Sequence, residues 1–343
     1  MLEQALRRKP PELAIDLGSS NTRLFARGRG VVVDEPTVVA IQIGSRGREV
    51  VAVGREAREM FGRTPAGTEV VQPVRSGVVA DFEATEELLR ALMREAVGRS
   101  VLKPRVAVCV PPETTEVERR AVRESARAAG AREVALLPTA MAAAAGCGLP
   151  VTEPVGSMVV DIGGGRTEAA VVSLGGTVIY RSSRVAGDAM DAAIVTWLER
   201  EHNLVVGAST AEAVRRAVGR VGDSDPRHMR TVVRGRDTSS GGPSEQAVTS
   251  DDLAAALAAP AKAICDVVLS ALGETPPELA ADILDRGVMV CGGVSELPGV
   301  VGMLREATGL PVLQAEAPHG AVARGAALLL DDLELYQRVA LGG

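Results

Sequence analysis

Two short segments place an aspartate directly before a run of small residues. They read DLGSSNT at residues 16–22 and DIGGGRT at residues 161–167, and an apolar run precedes each. Glycines allow backbone N–H groups to approach a phosphate, and hydroxyl and amide side chains add donors. A carboxylate at the end of a strand could orient water on Mg²⁺, an ion that prefers oxygen ligands. Each segment predicts phosphate binding, while a plain glycine turn stays open as the alternative for either one alone.

A third glycine segment, CGGVSELPG, runs from Cys291. A flat adenine or ribose could lie against Gly292 and Gly293, although glycine turns from strand to helix are common. The order of the three segments favours ligand binding over plain glycine turns, because two Asp-x-Gly turns followed by a Gly-Gly turn are hard to generate by chance. Two facing carboxylates, Asp16 and Asp161, would suit one Mg²⁺–triphosphate between two domains. The sequence therefore predicts binding of a nucleotide.

The elements around these segments indicate how they are positioned. Residues 12–30 and 157–176 each read as apolar strand, Asp, glycine-rich turn, Thr and second strand, which predicts a β-hairpin. Self-similarity across ~145 residues indicates two related halves rather than a short repeat. Strands at 105–110 and 133–137 alternate with helices such as 115–130. Alternation of this kind indicates mixed α/β layers.

Turn-forming residues and apolar spacing place the remaining elements. The polar run DTSSGGPSEQ predicts a loop over 237–246, and Ser250 is positioned to cap the helix that follows. The other predictions, in chain order, are a helix beginning at 140–145, a helix over 188–202, a helix over 278–284, a strand over 287–290 and a helix over 321–339.

Composition limits the class of protein. The chain has 343 residues, 46% of them apolar and 24% charged, which is ordinary for a globular protein of roughly two domains. A net charge of −6 argues against a general nucleic-acid binder. No run of ~18 apolar residues predicts a membrane span, and the N-terminus lacks the apolar run of a secretory signal. Four cysteines without CxxC spacing suit reduced thiols in a cytoplasm, and three scattered histidines give little support to a metal site.

Longer stretches carry a family resemblance. The three glycine segments resemble the phosphate-1, phosphate-2 and adenosine motifs of the actin, sugar kinase and heat-shock chaperone superfamily. Within that superfamily, similarity to the MreB/Mbl bacterial actins runs nearly end to end. The stretches that carry it are DEPTVVAI from Asp34, SGVVADFEATEELL from Ser76, TEVERRAVRESARAAGAREV from Thr115, LPVTEPVGSMVVDIGGG from Leu149 and TPPELAADILDRGV from Thr275.

The resemblance implies an α/β fold of the actin-like (ribonuclease H-like) type, duplicated into two domains with a nucleotide cleft between them. Residues 1–145 and 321–343 would form domain I, with a small subdomain at about 34–76. Residues 146–320 would form domain II, with a small subdomain at about 186–250. The implied cofactors are ATP and Mg²⁺. The implied function is a filament at the inner face of the cell membrane that organises cell-wall synthesis and cell shape.

The resemblance also assigns residues. Asp16 and Asp161 would face Mg²⁺ and its waters. The segment at 211–215, AEAVR, is similar to the family's Ala-Glu-Arg-Ile-Lys, although a solvated helix face is the alternative for its Glu and Arg. The implied nucleotide-binding residues are Gly18, Ser19, Ser20, Asn21, Thr22, Gly163, Gly164, Gly165, Arg166, Thr167, Glu212, Arg215, Gly292, Gly293 and Val294.

Three positions depart from the family pattern. Thr139 stands where the family usually has a Glu that positions or activates the attacking water, so Thr139 and Asp161 are the residues at the catalytic positions. A threonine can orient water but cannot accept its proton near neutral pH, which leaves at most a weak ATPase. Arg166 replaces a Thr and could touch a phosphate or point into solvent. Val294 replaces a Gly and could reshape the base site.

Partners follow from the resemblance alone. Self-association into filaments is implied, as are contacts with cell-wall synthesis and elongation proteins and with the inner membrane surface. Val101 and Leu102, flanked by Arg99 and Lys103, resemble the family's apolar membrane loop. The first eight residues would make only a poor, short amphipathic helix, and a frayed terminus is the alternative for them. Two alternatives stay open: a nucleotide-gated scaffold that does not hydrolyse ATP, and a small-molecule kinase of the same fold.

Overall fold

A computed structural model describes residues 12–44, 47–98, 100, 102–222, 229–332, 335 and 338–341. The chain forms two compact units. Unit 1 takes in the described parts of Met1–Gly146 and Val322–Gly343, and unit 2 is Cys147–Ala321. The four cysteines lie within the described residues and form no disulfide.

Unit 1 is built on a five-stranded sheet in the order β10-β9-β1-β2-β3. Strand β1 is antiparallel to β2 and parallel to β9, and β9 is parallel to β10. The strands are β1 (Glu12–Leu17), β2 (Asn21–Ala26), β3 (Gly30–Pro36), β9 (Arg105–Val110) and β10 (Glu133–Pro138). A smaller sheet in the order β5-β4-β6 contains β4 (Val39–Gly44), β5 (Gly47–Val53) and β6 (Thr68–Val71), and β7 (Val74–Arg75) pairs with β8 (Val78–Val79).

Helices cover the unit 1 sheet with apolar faces at helical spacing. They are α1 (Gly54–Glu59), α2 (Phe82–Val97), α3 (Glu116–Ala128), α4 (Thr139–Gly146) and, from the C-terminal segment, α10 (Ala321–Asp331). Asp81 caps α2, and Thr115 forms a capping box with Glu118 at the start of α3. Helix α2 buries Leu88, Leu89 and Leu92 against the strands. Each fully buried leucine contributes about 1.5–3 kcal/mol to stability.

Unit 2 repeats the same strand arrangement, in the order β13-β12-β11-β17-β18. The first three strands form an antiparallel meander, and β11, β17 and β18 run parallel. They are β11 (Ser157–Ile162), β12 (Thr167–Ser173), β13 (Gly176–Ser183), β17 (Val288–Cys291) and β18 (Val312–Gln314). A three-stranded sheet contains β14 (Leu204–Val205), β15 (Arg230–Asp237) and β16 (Pro243–Thr249).

The helices of unit 2 complete its core. They are α5 (Gly187–His202), α6 (Ala208–Val218), α7 (Ser250–Gly273), α8 (Pro277–Arg286) and α9 (Val300–Thr308). By length and composition alone, helix α7 could cross a membrane, because an 18-residue window within it has a mean hydropathy of 1.6. In the folded chain, 44% of that window is buried inside the protein. Lys262 and Asp266 interrupt its apolar residues, so α7 contains no unbroken run of ~18 of them. Packing of α7 against β12, β13 and α5 accounts for its apolar side chains.

Most elements expected from the sequence are confirmed, with three corrections. Thr249, not Ser250, is the N-cap of α7, because its hydroxyl accepts from the Asp252 amide while Ser250 is already helical. The expected loop over 237–246 is a hairpin whose strands β15 and β16 leave only a short turn between them. The expected C-terminal helix over 321–339 ends at Asp331 as a continuous element, and parts of the remainder lie outside the described residues.

Candidate functional site

The first aspartate segment lies at the carboxyl edge of the unit 1 sheet. Asp16, near the end of β1, is level with Cys109 on β9, which in turn is level with Leu137 on β10. Thr139 begins α4 directly after β10 and is 9% exposed. Because these three parallel strands end at the same edge, the geometry of unit 1 brings Asp16 and Thr139 to one side of the sheet, as ligand sites in α/β sheets require.

The turn after Asp16 is held by hydroxyl groups. Thr37 Oγ1 donates to the Gly18 carbonyl at 2.7 Å, and its oxygen lies 2.8 Å from Thr22 Oγ1. Since the single Thr37 hydrogen is used, Thr22 is the donor in the second bond. Both threonines are fully buried. Thr22, expected to grip a phosphate, therefore shapes the turn instead of presenting its hydroxyl to solvent.

The other side chains of this turn also have partners within unit 1. Asn21 Nδ2 donates to Asp34 Oδ1 at 2.8 Å, and Ser19 Oγ accepts from the Gly77 amide at 3.1 Å. The Thr37 amide donates to the Ser20 carbonyl at 2.9 Å. Accepting a bond leaves the Ser19 hydroxyl hydrogen available to a ligand. Phosphate contacts from this turn are therefore expected mainly from its backbone amides and from Ser19.

The second aspartate segment occupies the matching place in unit 2. Asp161 on β11 is level with Cys291 on β17, so the Asp and the Gly-Gly turn after β17 are neighbours. A Cβ on Gly292 would lie well inside contact distance of Asp161 Oδ1 and the Ile162 carbonyl. Gly292 also has φ +84° and ψ 160°, a conformation that only glycine adopts readily. A hydrogen bond with Cys147, together with burial, raises the pKa of the Cys291 thiol well above its ordinary value.

The DIGGGRT turn is closed by its own backbone. The Gly163 amide donates to the Arg166 carbonyl at 2.9 Å. Thr167 Oγ1, fully buried, donates to the Val185 carbonyl at 2.7 Å. Arg166 Nη1 donates to Ser182 Oγ at 2.7 Å, so this side chain is anchored on β13. The expectation for Arg166 was either a phosphate contact or a side chain in solvent, and the hydrogen bond to Ser182 corresponds to neither.

The start of α5 connects the binding segments of unit 2. The Gly187 amide donates to the Gly163 carbonyl at 3.2 Å, and the Asp188 amide donates to the Gly164 carbonyl at 2.7 Å. A Cβ on Gly187 would meet Val294 Cγ2 at 3.2 Å, Arg215 Nη2 at 3.3 Å and Gly164 Cα at 3.4 Å. The predicted phosphate, adenosine and α6 segments therefore converge on this one glycine.

The two residues expected on α6 differ in their surroundings. Arg215 is buried and makes a two-point ion pair with Asp191 of α5, with Nε–Oδ1 at 2.6 Å and Nη2–Oδ2 at 3.2 Å. Burial raises the pKa of Asp191, and the Arg215 guanidinium opposes that shift. Glu212 pairs with Arg216 one turn along α6 at 2.9 Å, and its side chain is 18% exposed.

Sequence reasoning missed Thr37, Gly187 and Asp191. The sequence did carry a signal for Gly187, because GDAMD opens an apolar-spaced helix directly after a strand. Asp191 lies four residues after Gly187, one helical turn along. Thr37, between Pro36 and Val38, had no local signal.

Two other expectations concern metal and membrane. Within the described ranges, no group of three or more His, Cys, Asp or Glu side chains is arranged to hold a metal ion by itself. Leu102 is half-buried and its amide lies 3.2 Å from Ser100 Oγ. Val101, Arg99 and the first eight residues lie outside the described residues.

One sheet arrangement occurs twice in the chain, and each copy carries an aspartate and a tight turn at the carboxyl end of its central strand. This duplicated architecture is the actin-like class. The chain belongs to the MreB/Mbl family, whose model, MreB/Mbl protein, matches residues 10–338.

The relatives agree with this assignment. The cell shape-determining protein MreB of Escherichia coli (strain K12) is 44% identical over 330 residues, which cover 95% of this chain and 94% of that protein. The cell shape-determining protein Mbl of Bacillus subtilis (strain 168) is 40% identical over 324 residues, which cover 94% and 96%.

A solved structure extends the agreement to three dimensions. MreB5 of Spiroplasma citri bound to ADP superposes with a TM-score of 0.88 at 32% identity, covering 94% of this chain and 97% of that one. The same protein bound to AMPPNP superposes with a TM-score of 0.88 at 30% identity, covering 96% and 98%. The chain is thus a member of a cell shape-determining family with an actin-like fold.

Proposed function

We propose that this chain is a cytoskeletal ATP-binding protein that assembles into filaments and organises cell shape. The observation that carries the proposal is the convergence on Gly187 in unit 2, where the DIGGGRT turn, Val294 and α6 come within 3.2–3.4 Å of one point. Gly292 beside Asp161 adds an opening that a side chain would fill. The ADP-bound and AMPPNP-bound MreB5 structures support the nucleotide class.

Within this proposal the turns of both units hold the phosphates of a single nucleotide. Asp16 and Asp161 would hold Mg²⁺ through its water shell, since carboxylate oxygens suit this ion. The metal would neutralise charge on the phosphates. The residues themselves would act by position: backbone amides of the two turns would donate to phosphate oxygens, and the absence of a side chain at Gly292 would leave room for the nucleoside.

Calorimetric titration of the purified chain with Mg-ADP and Mg-AMPPNP tests the binding step. We expect one site per chain, and a strong loss of affinity in Asp161→Ala. Asp266→Asn is the matched control, because Asp266 is an exposed carboxylate paired only with Lys262 on α7. A chain that folds and binds neither nucleotide would overturn the proposal.

Filament assembly and membrane attachment need their own assay. Sedimentation with Mg-ATP, with and without vesicles containing anionic lipid, should pellet the protein, and the vesicles should increase the pelleted fraction. Two aliphatic residues such as Val101 and Leu102 contribute only a few kcal/mol, so one subunit binds weakly and a filament adds avidity. Protein that stays in the supernatant under every condition would contradict the polymer role.

Thr139 favours a second candidate, a nucleotide-gated scaffold with little hydrolysis. It is a buried hydroxyl at the sheet edge that carries Asp16, where a general base would otherwise stand. Loss of a general base typically costs about 10²–10⁴ in rate. Phosphate release should therefore be very slow in the unsubstituted chain and faster in Thr139→Glu, with Thr139→Ser as the control of similar size. Rapid release by the unsubstituted chain would remove this candidate.

A further inference from the structure

The Asp191–Arg215 ion pair is buried at the centre of the unit 2 site. Only 9% of the Arg215 side chain and 10% of the Asp191 side chain are exposed. Both interacting guanidinium nitrogens, Nε and Nη2, are committed to the two carboxylate oxygens. A guanidinium engaged in this way is neutralised by its partner, so it offers little net charge to a phosphate or a base.

The Asp191–Arg215 ion pair lies next to the contacts at Gly187 that hold the turns of the unit 2 site. Arg215 Nη2 is 3.3 Å from the point where a Gly187 Cβ would stand. The amides of Gly187 and Asp188 hold the carbonyls of Gly163 and Gly164. Val294, from the Gly-Gly turn, closes the same point and is buried. Movement of Arg215 would therefore disturb the packing around the start of α5, whose amides hold the Gly163 and Gly164 carbonyls.

The geometry of the pair suits an arginine better than a lysine. The planar guanidinium group of arginine can donate to both oxygens of a carboxylate at once, whereas a lysine ammonium is a point charge without this geometry. Burial disfavours the charged form of Asp191, and its pKa is raised accordingly. Removal of one partner from a buried ion pair leaves an uncompensated charge, so the two side chains depend on each other.

We propose that Arg215 is a positioning residue and that the Asp191–Arg215 pair locks α5 to α6, so that the start of α5 holds the DIGGGRT turn and Val294 in the nucleotide-binding arrangement. This inference rests on the proposed function, because it assigns a role to residues at the same site. It differs from a direct base or ribose contact by Arg215, which would not require Asp191.

A double-mutant cycle on the full chain separates the two roles. Affinities for fluorescent ADP and for ATP and GTP are measured for Asp191→Asn, Arg215→Gln and the double variant. Positioning predicts that each single variant loses about tenfold or more in affinity, the scale seen when outer partners of a site are removed. The double variant should lose no more than either single one, because both break the same lock.

The preference for ATP over GTP gives a readout that a loss of stability alone would not move. Displacement of Val294 should lower this preference in both single variants. Arg234→Gln is the matched control, since Arg234 is 83% exposed and paired with Glu245 on the neighbouring strand of the same unit. The control should keep both the affinity and the preference of the unsubstituted chain.

The outcomes are distinct. Unchanged affinity in Asp191→Asn, with a loss in Arg215→Gln, would overturn positioning in favour of direct contact. If Asp191→Asn does not fold, Asp191→Glu decides, because it keeps the charge, leaves Arg215 unchanged and alters the geometry of the pair: weaker binding supports the inference, and unchanged binding overturns it. A folded, unsubstituted chain that binds no nucleotide would instead overturn the proposed function itself, and this inference with it.

Discussion

The two aspartate turns occupy equivalent places in two sheets of one strand order, yet they are stabilised differently. In unit 1, side-chain hydroxyl groups stabilise the turn: Thr37 Oγ1 donates to the Gly18 carbonyl, and Ser19 Oγ accepts from the Gly77 amide. In unit 2, backbone hydrogen bonds stabilise the turn: the first two amides of α5 donate to the carbonyls of Gly163 and Gly164. A Cβ at Gly18 would lie 2.6 Å from the Asn21 carbonyl, and one at Gly163 would lie 3.3 Å from the Arg166 carbonyl, so the first glycine of each turn is crowded, more tightly in unit 1.

The strands beside the aspartates differ in the same sense. After Cys109 the chain of unit 1 continues with Val110 and a proline, and after Cys291 the chain of unit 2 continues with Gly292. The residue after the cysteine therefore has a side chain in unit 1, where it is Val110, and none in unit 2, where it is Gly292. The two sheets share one strand order, and the difference at this edge agrees with the proposal that unit 2 takes the nucleoside.

The largest effect should come from filling that opening. Gly292→Ala places a Cβ against Asp161 Oδ1 and imposes a strained backbone conformation, so we expect a loss of about 3 kcal/mol or more in unit 2 stability and loss of nucleotide binding. Gly309→Ala is the control, because Gly309 also has positive φ (+68°) but nothing within 4 Å of its Cβ position. Equal melting temperatures for the two variants would show that the opening is not crowded.

Removal of the hydroxyls should produce a smaller and unequal effect. Thr37→Val leaves both the Gly18 carbonyl and the Thr22 hydroxyl without their partner, at about 1–3 kcal/mol for each buried group. Thr167→Val leaves only the Val185 carbonyl and should cost about half as much. Chemical denaturation of both variants measures the difference. A larger cost for Thr167→Val would contradict a turn in unit 1 that depends on hydroxyls.

The smallest effect concerns the helix caps. Asp81 caps α2 in unit 1 and pairs with Arg48 at 2.5 Å, whereas a threonine caps α7 in unit 2. Burial raises the pKa of Asp81, but the bonds from Arg48 and the Ala84 amide outweigh it and hold the pKa below 3.8. The stabilisation is therefore present above pH 3.8 and is lost as the pH falls through the lowered value.

Asp81→Asn tests this assignment, because asparagine still caps but carries no charge. We expect a cost of at most about 1 kcal/mol at pH 7 that shrinks as the pH falls from 3.8 through the lowered pKa of Asp81. Denaturation midpoints across that range measure it, with Thr249→Ser in unit 2 as the control whose hydroxyl does not titrate. A difference from the unsubstituted chain that stays constant with pH would exclude the ionised carboxylate as its source.

Local patterns predicted much of the fold. Alternating apolar runs fixed the strands that carry both aspartates, and the capping sequence at Thr115 fixed the start of α3. The hairpin of β15 and β16 was missed because its strands carry arginines and polar residues at exposed positions, which locally resemble a loop. Ser250 and Thr249 are both good caps, and only backbone geometry distinguishes them.

The site was less predictable than the fold. The sequence placed the glycine turns, but it could not distinguish side chains that face a ligand from those that hold the turn. Thr22, Thr167 and Arg166 have partners that come from strands or connections 15 to 18 residues away. The role of Arg215 depends on Asp191, 24 residues distant, and such pairing is set by packing of α5 on α6.

The Ala-rich helix α4 and the C-terminal helix α10 pack through their backbones, with Gly325 against the Ala142 carbonyl and the Gly146 amide, and with Arg324 bonded to the Gly146 carbonyl at 3.3 Å. The chain leaves unit 1 after Gly146 and re-enters it at Val322. Its exit and re-entry points are therefore neighbours. Joining Gly146 to Val322 through a short Gly-Ser linker should remove unit 2 and leave unit 1 as a domain that folds on its own.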